Sequence, residues 1–393
     1  MMLAGSGLFV DTADRLPAAH RMSSLPRPRR SYTAYTSALL GLLSLFGVLC
    51  FHFPELLTSK EFRAVYSETF ARHLLLFGLV ASFLLGTLAI LRGRNRRVAL
   101  VGVGAATLAV LVGGTNVQFD AIGKTPYSLG LDWFVISLFF SALVFVPMER
   151  FLGKRDISPL RPGWRTDLAY FFMSHVLVQF ILILVTASTS TIAGLAMFPA
   201  LKAAIQSLPV WAQFLLAVFV ADLAQALLHR AYHNIPWLWR FHAVHHSSRE
   251  MDWLAGSRIH FVEIVMTRSA VLLPLLILGF SASAVNAYVV LVGLQAVLAH
   301  ANLGIRFGPL EYLLVLPRYH HWHHARQQEY IDVNYAIHLP LVDMLMGTFK
   351  LPRDQSQWPA EYGVMKLETV PRGIVEQHLM PFRGKKNYDD FVK

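Results

Sequence analysis

Apolar residues run along this chain in long blocks broken by short polar segments. Blocks at about 35–56, 73–91, 98–114, 129–147, 168–192, 209–228, 262–280 and 284–302 approach the roughly 20 residues that a helix needs to cross a hydrocarbon core about 30 Å thick. The pattern predicts an all-α protein, a polytopic transmembrane bundle of about six to eight spans. The last two blocks, parted by Ser281 and Ser283 after Gly279, fit either a full helical hairpin or two re-entrant segments, and periodicity does not separate these.

Composition supports the membrane reading. Hydrophobic residues make up 55% and charged residues 15% of the 393, against about 25% charged in soluble domains. The net charge of +11 does not point to nucleic acid, because Arg and Lys sit in short blocks between apolar runs. Those blocks alternate. Arg92, Arg94, Arg96 and Arg97 follow the second run, and Arg150, Lys154, Arg155, Arg161 and Arg165 follow the fourth. The opposite loops hold Lys60, Arg63 and Arg72 diluted by Glu55, Glu61 and Glu68, then only Lys124, then only Lys202. By the positive-inside rule, both termini and the segments 229–261 and 303–393 are expected on the cytoplasmic face.

The expected organisation is a disordered basic tail over 1–34, transmembrane helices over 35–147, a basic cytoplasmic linker over 148–166, a histidine-bearing domain over 167–350 and a cytoplasmic tail over 351–393. Trp237, Trp239 and Phe241 fall where an interfacial aromatic belt is expected. The single cysteine, Cys50, excludes an intrachain disulfide and any cysteine-based metal cluster.

The chemistry is concentrated in histidines. HRAYH holds His229 and His233, HAVHH holds His242, His245 and His246, and PRYHHWHH holds His320, His323 and His324 with an extra His321. Nine of the 17 histidines thus lie in two windows, 229–246 and 320–324. On a helix, positions i, i+3 and i+4 share one face, so each box presents two or three imidazoles to one point. Such a cluster is repulsive when protonated and costly when buried neutral without partners; a bound cation resolves both. Neutral imidazole suits iron, zinc, copper and nickel, so the residues leave the metal open. His260 in SRIHFVE and His300 in QAVLAHANL return to the same end and are further candidates, whereas His52, His73, His175, His338 and His378 read as structural or interfacial. Asp222, a carboxylate inside an apolar run two turns before His229, is the foremost supporting acid, with Glu263, Asp332 and Asp343 as others that would orient imidazole N–H groups.

The residues HRAYH, HAVHH and HHWHH, with SRIHFVE, HANL and the closing DVNYAIHLPLVDMLMGTF, resemble the fatty acid hydroxylase and sterol desaturase superfamily of membrane di-iron proteins over about 140–350. The resemblance implies two iron ions, for which zinc may substitute on purification, and dioxygen as co-substrate. It assigns His229, His233, His242, His245, His246, His320, His323 and His324 to the metal, adds His260 and His300 through its Arg-x-His and His-x-Asn elements, and gives Asn334, Tyr335, Asp343 and Gly347 supporting roles. It implies hydroxylation, desaturation or demethylation of a sterol or other polycyclic lipid, or of an acyl or alkyl chain.

The chain carries no dinucleotide fingerprint and no iron–sulfur cysteine set, so a separate electron-donor protein is expected. A zinc-dependent membrane hydrolase is the weaker alternative, since neither paired box encloses the Glu of H-E-x-x-H. A metal transporter or electron carrier is weaker too, since transport sites sit near the bilayer midplane. The end KKNYDDFVK lacks an endoplasmic-reticulum retention signal, which favours a bacterial inner membrane with the active site cytoplasmic.

Overall fold

The computed structural model describes residues 32–59, 63, 66–93, 95–118, 130–177, 198–365 and 370–383. Among them the regular elements are all helices, with two isolated bridges, Gly153 to Leu303 and Ala325 to Tyr362. In chain order we label Tyr32–His52 α1, Glu68–Leu91 α2, Arg96–Leu111 α3 and Leu131–Leu152 α4. Residues 164–177 form α5. There follow α6 (Pro199–Ser207), α7 (Val210–Asn234), α8 (Pro236–His245), α9 (Phe261–Ile277), α10 (Ala282–His300), α11 (Pro317–His323), α12 (Pro340–Met346) and α13 (Ile374–Leu379).

Six helical stretches among the described residues are long and apolar enough to cross a membrane: α1, α2, Arg96–Asn116, α4, α7 and α10. The protein is a multi-pass helical membrane protein. The span expected at 168–192 lies largely outside the described residues, as does the basic tail up to residue 31. The region 262–302 is a helical hairpin. Its arms, α9 of 17 and α10 of 19 residues, rise about 26 and 29 Å at 1.5 Å per residue. Gly279 turns the chain at φ 77°, and the Ser281 hydroxyl caps α10 by accepting from the Ala284 N–H at 3.3 Å.

The helices form two compact units, one of residues up to 48 with 72–116, the other of 49–71 with 117–393. In the first, small residues bring α1, α2 and α3 together. Ser37 Oγ donates to the Ser82 carbonyl and Ser82 Oγ to the Ser37 carbonyl, both at 2.8 Å. A Cβ on Gly41 would lie 2.3 Å from the Gly102 carbonyl oxygen, so the backbones touch as small residues allow between membrane helices.

In the second unit α7 is central, packing against α8, α9, α10 and α12. Its buried stripe runs Ala217, Ala221, Asp222, Ala226, His229, His233, so the face that makes the core also delivers two histidines at its end. Ala217, Val218 and Ala221 meet Ile264, Val271, Leu272 and Leu275 of α9 and Val285, Tyr288 and Val292 of α10. Residues 148–166, expected as a linker, are built into this unit. Buried Arg161 holds Asp252 through two contacts of 2.7 Å and Asp167 through one. The expected tail is packed here in part as well, with Tyr362 and Met380 buried.

Candidate metal centre

Four helix ends converge at one end of the second unit. The last two turns of α7 carry His229 and His233, and the last turn of α10 carries His300. Pro236 and Pro317, each at a first helical position where no N–H is needed, open α8 and α11. Those short helices end on His242, His245 and the cap His246, and on His320, His323 and the cap His324.

The side chains sort into two groups. His229, His233, His242, His246 and His323 form one, and His245, His300, His320 and His324 the other; in each the ligating nitrogens lie within 4.8 Å of one another. All nine are buried. A four-residue step turns a helix by about 40° and a three-residue step by about −60°. Accordingly α8 sends His242 and His246 to the first group and His245 to the second, while α11 sends His323 to the first and His320 and His324 to the second. The groups adjoin, with the His246 and His324 rings stacked at 4.3 Å.

In six of the nine rings the outward-facing Nδ1 is committed to an oxygen acceptor, whereas His320 Nδ1 is buried without one. His229 Nδ1 donates to the Tyr335 carbonyl at 2.8 Å, His242 Nδ1 to Glu263 Oε1 at 2.7 Å, His233 Nδ1 to Asp332 Oδ1 at 3.1 Å and His323 Nδ1 to the Val333 carbonyl at 2.8 Å. In the second group His245 Nδ1 donates to the Arg258 carbonyl at 3.2 Å and His300 Nδ1 to the Ala296 carbonyl at 2.8 Å. A neutral imidazole with its proton on Nδ1 has only a lone pair on Nε2. Yet Nε2 of His229 lies 3.0 Å from Nε2 of His242, and Nε2 of His245 lies 3.4 Å from Nε2 of His300. Lone pairs facing at such distances repel unless a cation lies among them.

Protonation is a poor remedy. Burial, reinforced by the neighbouring imidazoles, holds His242, His245, His246, His320, His323 and His324 well below the ordinary imidazole range. The donor set therefore fits metal ions: nine buried imidazoles, six of them with partners that fix tautomer and ring orientation as in histidine metal sites generally. A narrow cleft, lined among others by His233, His246, His323, Trp239, Arg326 and Asp332, reaches the first group.

Glu263 and Asp332 orient imidazoles as expected of them; Asp222 and Asp343 do not touch a histidine of either group. Asp222 instead accepts the backbone N–H groups of Ile337, His338 and Leu339 at 2.8, 3.1 and 2.7 Å. Asp343 accepts those of Tyr335 and Ala336 at 2.8 and 2.7 Å and the Tyr319 hydroxyl at 2.8 Å. Together they clamp the segment 335–339, whose first carbonyl holds His229. Asn334, at φ 61°, exchanges two hydrogen bonds of 2.8 Å with the Lys350 backbone.

His260 departs from expectation. It belongs to neither group: its Nδ1 accepts the Val262 N–H at 3.1 Å as the cap of α9, and its Nε2 donates to the His378 carbonyl at 3.1 Å. Both ring nitrogens are thereby used. The aromatic belt is also revised, because only Trp237 is exposed. Trp239 packs on His233 and His246, and Phe241 on His260. Residues that sequence reasoning missed act through the backbone, as with the carbonyls of Val333 and Arg258, which no side-chain pattern announces. His321, the extra histidine, lies between the Tyr362 hydroxyl at 2.8 Å and the His300 carbonyl at 3.1 Å, and burial pushes its pKa to about 3.

Comparison with known proteins adds a family. Residues 214–348 match the fatty acid hydroxylase family. The chain is 28% identical over 285 residues to ornithine lipid hydroxylase OlsE of Rhizobium tropici, covering 70% of this chain and 83% of that protein. It is 26% identical to alkylglycerol monooxygenase of Homo sapiens, covering 38% of this chain and 33% of that protein. It is 29% identical to very-long-chain aldehyde decarbonylase GL1-6 of Oryza sativa subsp. indica, covering 39% and 27%. No solved structure matches the chain significantly.

Proposed function

We propose, from the premise that residues 214–348 are a fatty acid hydroxylase domain of a multi-pass membrane protein, that this chain is an oxygen-dependent lipid hydroxylase with one iron ion in each histidine group. The observation that carries the reading is the facing of Nε2 lone pairs at 3.0 to 3.4 Å while the Nδ1 protons are held elsewhere. The relatives favour hydroxylation over desaturation, since two of the three named above are a hydroxylase and a monooxygenase. The overall change is C–H plus O₂, two electrons and two protons to C–OH and water. Reducing equivalents come from a separate donor protein, and the histidine end faces the cytoplasm of a bacterial inner membrane.

Iron bound there supplies the one-electron steps by which dioxygen is reduced and an unreactive C–H bond oxidised. The protein's own part is arrangement. His229, His233, His242, His246 and His323 would hold one ion, and His245, His300, His320 and His324 the other. The carbonyls of Tyr335, Val333, Arg258 and Ala296 keep the Nδ1 protons in place, so each Nε2 lone pair stays aimed inward. Glu263 does the same for His242 with a carboxylate, which strengthens that imidazole as a donor. Burial of all nine rings limits contact of their nitrogens with bulk water.

The test is turnover in ¹⁸O₂. The protein, reconstituted with a chemical or protein reductant and bacterial lipid extract, is expected to yield a lipid heavier by one ¹⁸O atom, with no such product from His242→Ala. A product lacking label, or label incorporated equally by His242→Ala, would contradict the reading.

A further inference from the structure

Helix α9 carries a charge its surroundings do not answer. Ile264, Arg268, Val271, Leu272 and Leu275 recur at helical spacing along one face, and the four apolar members are buried in the core shared with α7 and α10. Arg268 is partly buried on that stripe. Its ionisable neighbours are Tyr288 on α10 and His175 on α5, and among the described residues no carboxylate pairs with it. The acid that shares Tyr288 as a neighbour is Asp222, but both Asp222 oxygens are taken by the N–H groups of residues 337–339. A guanidinium among apolar helices without a counter-charge is expensive and usually functional.

Hydrogen-bonded polar groups flank the stripe. The adjacent Thr267 hydroxyl bonds Tyr232 at 3.0 Å. His338 joins Gln295 at 2.6 Å and the Tyr288 hydroxyl at 3.4 Å. Arg268 lies five residues beyond Glu263, the acid that holds His242, or about 7.5 Å along the helix axis and about 140° around it. Helical side chains lean toward the N-terminus, which for α9 is the histidine end.

We propose that Arg268 receives the anionic group, carboxylate or phosphate, of a lipid that enters the bundle. The inference rests on the lipid-hydroxylase reading and narrows it: the substrate is an acidic lipid. A planar guanidinium with paired donors suits either anion.

Equilibrium binding tests this on the full chain in neutral detergent at pH 8, using radiolabelled oleate and dioleoyl phosphatidic acid, with oleyl alcohol and dioleoylglycerol as uncharged counterparts. Wild type is expected to bind at least one acid ten times more tightly than its neutral counterpart. Arg268→Gln is expected to abolish that preference while leaving the neutral lipids within twofold, and Arg268→Lys to keep most of it. Equal binding of acid and neutral forms by wild type would overturn the proposal even should Arg268→Gln fail to fold. So would an unchanged preference in folded Arg268→Gln. Displacement of the bound acid by millimolar inorganic phosphate or acetate alone would show a site for free anions and overturn the lipid assignment. Binding is read without turnover, so its failure leaves the oxygenase reading standing, while a protein that binds acidic lipid but incorporates no oxygen would fail that reading alone.

Discussion

At the scale of single residues, the site is governed by which imidazole nitrogen holds the proton. Glu263 illustrates it: its contact with His242 Nδ1 at 2.7 Å fixes the tautomer of a ring whose other nitrogen faces His229. Glu263→Ala is expected to weaken metal binding about 10- to 100-fold without unfolding the protein, measured by competition with a chelator of known affinity. Unchanged metal affinity would remove Glu263 from the site. His338 makes a prediction of opposite kind. Burial lowers its pKa from 6.5 to about 4, so the unfolded chain takes up the proton first. Stability is therefore full above about pH 6.5 and falls as pH drops toward 4, at up to about 1.4 kcal/mol per pH unit for one such group. His338→Gln should flatten part of that loss in unfolding scans between pH 7 and 4.5; an unaltered acid slope would contradict it. The histidine boxes themselves were legible in the sequence, since i, i+4 pairs are a local pattern. The fate of His260 was not, because His378, whose carbonyl engages it, lies 118 residues away.

At the scale of elements, the support of the site lies in one short stretch, 333–339, which touches both α7 and α11. Asp222 and Asp343 take five of its backbone N–H groups between them. Removing an acceptor so that buried donors are orphaned costs about 1–3 kcal/mol each. Asp222→Ala, which strands three, should lower stability by several times that of a surface substitution and lower metal content with it. Wild-type stability and metal loading in Asp222→Ala would show that the clamp carries no weight. Sequence flagged Asp222 because a carboxylate in an apolar run must have a reason. It suggested an imidazole as partner, since two helical turns put His229 on the same face; the closing segment, far along the chain, was invisible to helical spacing. The hairpin 262–302 was undecided for a related reason: apolar runs give length, while the turn at Gly279 and the capping by Ser281 decide that α9 and α10 are separate, nearly full-length arms.

At the scale of the whole molecule, membrane character followed from composition and apolar run length, and the six long helices agree with it. The division of the chain was less legible. Helix α4 and residues 148–166 share a compact unit with the histidines, held in part by the buried ion pairs of Arg161, one of whose partners, Asp252, lies 91 residues on. Metal is expected to be part of the fold here, because nine buried imidazoles packed against one another are poorly tolerated alone. Stripping the metal should lower the unfolding temperature by several degrees, and restoring Fe²⁺ without oxygen should reverse it; identical melting of both forms would weigh against a structural contribution.

The most direct measurement is metal analysis of protein expressed and purified without oxygen, beside His242→Ala and His320→Ala, one variant for each group. About two iron ions per wild-type chain are expected, with substoichiometric iron in each folded variant. Well-folded wild type that holds no iron when reconstituted with Fe²⁺, or variants that load like wild type, would contradict the claim that these two clusters of imidazoles are metal sites.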